Sequence, residues 1–118
     1  MREAIMVLKS NVGDVNFYPV EGGPSGMEIG KVYLLSRLKD PLSIGVYINP
    51  MFCDEDLEMP FMARVLKYIN ESDSEYIFTW VRVTDKDETT VTLDALFNND
   101  PPIKMRYRLT EEDKRKLH

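Results

Sequence analysis

The sequence predicts an α+β fold: a mostly antiparallel sheet of about six or seven strands, open or curled, with one long helix and a short C-terminal helix. Short stretches of alternating apolar and polar residues recur along the chain, separated by clusters of Gly, Pro, Asn and Asp. Apolar spacing of helical period is sustained over one stretch, near residues 57–70. The 118 residues, 43% hydrophobic and 30% charged, suffice for one core and leave little for a second, so residues 1–118 are expected to form a single domain.

The elements follow in order. Glu3 to Leu8 reads as a short strand, and Asn11-Val12-Gly13-Asp14 supplies turn chemistry before a second strand, Val15 to Val20. Together they suggest a hairpin. Glu21 to Gly30 holds four glycines and a proline, a composition that predicts no regular element and marks the most mobile internal segment. Lys31 to Leu38 and Leu42 to Ile48 are expected strands around Lys39-Asp40-Pro41. The helix is predicted over Leu57 to Asn70, with Pro60 in its first turn and acids at the positive end of its dipole. Phe61, Val65, Leu66 and Ile69 should face the core, and Arg64, Lys67 and Asn70 the solvent. Tyr76 to Thr84 and Thr89 to Leu96 form a hairpin across Asp85-Lys86-Asp87-Glu88. In Ile103 to Leu109, Ile103, Met105, Tyr107 and Leu109 point one way and Lys104, Arg106 and Arg108 the other. Thr110 then opens the C-terminal helix.

Both faces of the strand Tyr76 to Thr84 need cover. Ile77, Val81 and Val83 make one apolar face; Tyr76, Phe78 and Trp80 make the other. One helix covers one face. A curled sheet, or an N-terminal hairpin folded over it, would close the second face into a barrel-like core. Otherwise that face is an aromatic interaction surface, a ligand cavity beneath the glycine-rich loop, or a homo-oligomer contact.

The inventory of reactive side chains is short. His118 is the one histidine and Cys53 the one cysteine, so a nucleophile–imidazole relay or a His/Cys zinc site lacks its parts. The acids beside Cys53 disfavour a thiolate. Asp54, Asp56 and Glu58 begin like a calcium loop, but Met59 and Val65 stand where the turn glycine and bidentate acid belong. Gly22-Gly23-Pro24-Ser25-Gly26 lacks the Lys-Ser/Thr pair of a phosphate loop. No cofactor, metal or catalytic residue is therefore expected.

Charge is unevenly distributed. The net charge is −5, yet residues 1–53 are neutral, residues 54–100 carry −8 and residues 101–118 carry +3. An acidic middle of this kind complements a basic partner. We therefore expect a small, acidic, non-catalytic binding protein that docks on a basic protein partner and modulates or blocks it. Immunity proteins and phage-encoded antagonists offer a class-level analogy in size and acidity. Glu55, Asp56, Glu58, Asp73, Asp85, Asp87 and Glu88 would steer the partner, and exposed members of Tyr76, Phe78 and Trp80 would anchor it.

The alternative is a protein that sequesters an anionic small ligand or nucleotide. In that case the aromatics stack on the ligand and Lys104, Arg106 and Arg108 meet its charge. A low-turnover carboxylate enzyme ranks third. The acidic total argues against nonspecific binding to duplex DNA. No stretch approaches the roughly 20 apolar residues of a membrane span, and without a secretory h-region the expected location is the cytoplasm.

Overall fold

The computed structural model describes residues 6–10, 13–38, 49–53, 55–73, 75–97 and 104–111. Among these lie seven strands in one sheet: β1 (Met6–Ser10), β2 (Gly13–Pro19), β3 (Val32–Leu38), β4 (Met51–Cys53), β5 (Tyr76–Lys86), β6 (Thr90–Ala95) and β7 (Lys104–Arg108). Every neighbouring pair is antiparallel, and the order is β1-β2-β4-β3-β5-β6-β7. One helix, α1 (Met59–Ser72), and a 3-10 turn (Gly23–Gly26) complete the described elements. The α+β, mainly antiparallel class expected from the sequence is thus the observed one. The proposed strand Leu42 to Ile48, with the turn before it, lies outside the described residues, as does the C-terminal helix beyond Glu111.

Among the described residues the sheet is open, without barrel-like closure. β1 and β7 are the outermost strands, and the N-terminal hairpin continues the sheet through β2 and β4 instead of folding across it. The reason is local: β4 is flanked on one side by β2 and on the other by β3, so the three residues Met51-Phe52-Cys53 splice the hairpin into the plane.

α1 covers one face. Met62, Val65 and Ile69, at helical spacing, are buried against Val15, Phe17, Leu34, Met51, Phe78 and Trp80, with Phe61 and Leu66 half-buried at the margin. Val65 and Ile69 thus face the core as expected, and Met62 joins them at its centre where the sequence pointed to Phe61 and Leu66. The indole N–H of Trp80 donates to the Met62 carbonyl at 3.0 Å. The ring lies 5.9 Å from that of Phe17.

Asn70 does not face solvent as expected. Its Nδ2 donates to the Phe78 carbonyl at 3.0 Å, and the Phe78 N–H donates to its Oδ1 at 2.7 Å. The cause lies in the ladder. The Leu96 N–H bonds to the Trp80 carbonyl, so even-numbered residues of β5 direct their peptide groups toward β6. β6 does not extend as far as Phe78. The Asn70 amide, which carries one donor group and one acceptor like a peptide, takes the place of the missing strand.

The second face is covered by the glycine-rich segment. Met27 is completely buried in a cluster with Tyr33, Leu35, Val81, Val83, Val91 and Leu93. Lys86 Nζ donates to the carbonyls of Ser25 and Met27 and ties the segment to β5. Contrary to expectation this segment holds a regular turn, in which Pro24 and Ser25 are buried. Glycine is required at two places. Gly22 precedes the turn with φ 84°, and a Cβ on Gly26 would fall on the Glu21 carbonyl oxygen.

Candidate functional site

An opening follows from a break in strand pairing. β3 and β4 meet only at Leu34↔Met51 and then diverge. In β5 the Val83 N–H bonds to the Lys31 carbonyl, so odd-numbered residues point their peptide groups at β3. Tyr33 and Leu35, opposite Val81 and Thr79, answer them. Val32 therefore turns its N–H and C=O the other way, into the gap that β4 leaves.

The gap is a cleft of about 810 Å³. Val32, Phe52, Leu57, Met62 and Trp80 supply its apolar surface. Four carboxylates, Glu21, Glu28, Glu55 and Asp56, line it with two cations, Lys31 and Arg82. All six charged residues are exposed. Glu55 and Asp56 are there because the chain leaving β4 at Cys53 must pass this opening to begin α1 at Met59. On the opposite wall the Glu28 N–H donates to Tyr33 Oη at 2.9 Å. Burial raises the pKa of that phenol above 10.0, with the amide bond opposing and the Glu28 charge adding to the shift. The Lys31–Glu28 pair, 3.9 Å apart and exposed, contributes no more than about 1 kcal/mol.

Glu55 and Asp56 thus reach the cleft together with Trp80, while Glu58 caps α1 nearby without a side-chain cap bond. Asp85, Asp87 and Glu88 lie at the β5–β6 turn, toward the cleft end of the sheet; Asp73 and Tyr76 lie at the opposite end of β5. Three of these acids organise turns. Asp73 Oδ1 accepts the N–H groups of Glu75 and Tyr76, each at 2.8 Å. Asp85 Oδ1 accepts that of Lys86. Asp87 Oδ1 accepts the Thr89 and Thr90 N–H groups and the Thr89 hydroxyl. Those bonds, the Thr89 amide first, hold the Asp87 carboxyl below its ordinary 3.8.

Of the three aromatics considered as anchors, Phe78 and Trp80 are buried beneath α1 and Tyr76 is half-buried. Lys104, Arg106 and Arg108 are exposed along β7, away from the aromatics and on the sheet face opposite Met27. The aromatic residues, the basic row and the glycine-rich segment are therefore not brought together around one ligand.

Sequence reasoning missed Glu21, Glu28 and Arg82. The two glutamates flank the glycine stretch, a signal that becomes legible only once that stretch is known to border an opening. Among the described residues no group of three or more His, Cys, Asp or Glu side chains is placed to hold a metal ion, and no helix is long and apolar enough to cross a membrane. Comparison with family models, with curated proteins and with solved structures finds no match.

Proposed function

We propose that this chain is a non-catalytic binding protein whose acid-rimmed cleft receives a basic segment of a protein partner and blocks or modulates that partner by occlusion. The observation that carries the reading is the cleft itself, an apolar surface with Glu21, Glu28, Glu55 and Asp56 around it. Carboxylates at the rim steer a cationic segment during encounter, and the turn acids Asp85, Asp87 and Glu88 extend that field. Affinity then comes from apolar atoms desolvated against the half-buried Val32, Phe52 and Leu57 of the cleft wall. The acid rim and the apolar wall do different jobs, speed and grip.

The test uses two soluble peptides, one alternating Arg and Leu and one alternating Glu and Leu, titrated into ¹⁵N-labelled protein. Resonances of Val32, Glu55, Asp56, Leu57 and the Trp80 indole should shift with the basic peptide alone. Converting Glu55 and Asp56 to Lys should slow association by about tenfold at low salt and less at high salt, because exposed charges are screened within about 8 Å at physiological ionic strength. Equal shifts with the acidic peptide, or none with either, would reject the reading.

A further inference from the structure

On the part of its sheet face that α1 leaves uncovered, we infer a second binding site, a strip for the phosphate backbone of a single-stranded nucleic acid along β7. Strand register sets the geometry. Thr90↔Arg108, Thr92↔Arg106 and Asp94↔Lys104 pair across β6 and β7, and Arg82↔Asp94 adds a fourth cation from β5. Directly paired residues share a face. Arg82, Lys104, Arg106 and Arg108 are exposed, whereas the alternate residues Val91, Leu93 and Ala95 are buried on the other side. Among the described residues the one ion pair is Lys31–Glu28, so none of these four cations forms an ion pair with a described residue.

The ligand class follows from spacing and composition. Alternate residues of a strand stand about 6.8 Å apart, which is too far for one phosphate to meet Lys104, Arg106 and Arg108 together but suits successive phosphates of an extended chain. Arginine's planar fork matches a phosphate oxygen pair. The threonines at 90 and 92 add hydroxyl donors beside it. Every described residue on this face of β6 and β7 is polar or charged, so a protein partner would find no apolar anchor, and a nucleic acid no ring on which to stack its bases. Binding is therefore electrostatic and indifferent to sequence.

Two acids restrict the strip to the edge. Asp94 lies between Arg82 and Lys104, and the bulge after Val83 brings Asp85 opposite Thr92. One oxygen of Asp94 is buried without a hydrogen-bond partner. Both carboxylates repel a polyanion from β5 and leave the β7 row, on the last strand of the sheet, as its track.

Fluorescence anisotropy of labelled oligo(dT) with the full chain tests this. Binding should weaken with salt at a log–log slope of about −2, the value for three phosphate contacts on a single strand. Arg106→Ala should reduce the slope by about 0.7. The triple variant Lys104→Glu, Arg106→Glu, Arg108→Glu should lose binding while circular dichroism stays native; should it unfold, the single Ala variant decides. Asp94→Asn should tighten binding several-fold, a gain that no loss of structure produces. Absence of binding at low salt, a salt-independent affinity, or equal binding of poly-glutamate at matched charge would overturn the site. Glu55→Lys with Asp56→Lys leaves all three cations of the row in place, so failure here and failure of the cleft reading are separable.

Discussion

The same face of one sheet is built in two ways. Across β2, β4, β3 and the first half of β5 it is apolar and lies under α1; across the second half of β5, β6 and β7 it is polar and open. The change falls between Trp80, 2% exposed, and Arg82, exposed, two residues apart on one strand. A 14-residue helix is about 21 Å long and about 10 Å across, which covers part of a seven-stranded sheet and no more. Side chains change character where the helix ends its cover. That boundary also divides the two proposed sites, with Arg82 standing at the seam.

Trp80→Ala and Arg82→Ala give the largest contrast. The first empties the contact with Met62 and Phe17 and removes the indole bond to the Met62 carbonyl, and should cost about 3–5 kcal/mol; the second should fall within about 0.5 kcal/mol of zero. Urea unfolding measures both. Similar costs would erase the boundary between the halves.

Next in size is Asn70→Ala. It leaves the Phe78 N–H and C=O without their partner where β6 has stopped, and should cost about 1–3 kcal/mol. Amide exchange at Phe78 should accelerate relative to Val83, whose N–H keeps its bond to the Lys31 carbonyl. Unchanged protection at Phe78 would show that the helix does not complete the ladder.

On the open side, Phe97 follows β6 with φ 64°, in the left-handed region, and is exposed. Phe97→Gly should raise stability by up to about 1 kcal/mol in thermal unfolding. A loss would mean that the ring contributes more by packing than its backbone costs.

The smallest effect is a pH dependence at the β5–β6 turn. The Asp87 carboxyl is held below 3.8 when folded, so its contribution is complete above the unfolded value and disappears as pH falls through the folded one. Below about pH 4 the wild type should therefore show a steeper stability loss than Asp87→Ala, with the two curves parallel at neutral pH. Parallel curves throughout would indicate that the Thr89 and Thr90 bonds persist in the unfolded chain.

Much of the fold was legible because it repeats. β5, β6 and β7 and the helix appear within a few residues of their predicted bounds, since period-two and period-3.6 burial write themselves into the order of side chains. β4 was not legible: Met51-Phe52-Cys53 is too short to show a period, and it is a strand because β2 and β3 flank it. Asn70 reads as a surface residue at any helix end, and only the shortness of β6 gives its amide a task. The glycine-rich segment signals irregularity by composition, yet the apolar face beneath Met27 recruits it as cover.

The sequence alone determined the α+β class, the alternation that turns Lys104, Arg106 and Arg108 away from Met105 and Tyr107, and the scarcity of histidine and cysteine. Those are local properties, set by the period of a strand or by a count of residues. Tertiary structure decided where the strands part to open the cleft, which acids border it, that Phe78 and Trp80 lie beneath α1, and that Arg82 joins the basic row. Each of these depends on pairing between residues distant along the chain, and the energy that selects among pairings comes from burial on both faces at once, which no single stretch of sequence contains.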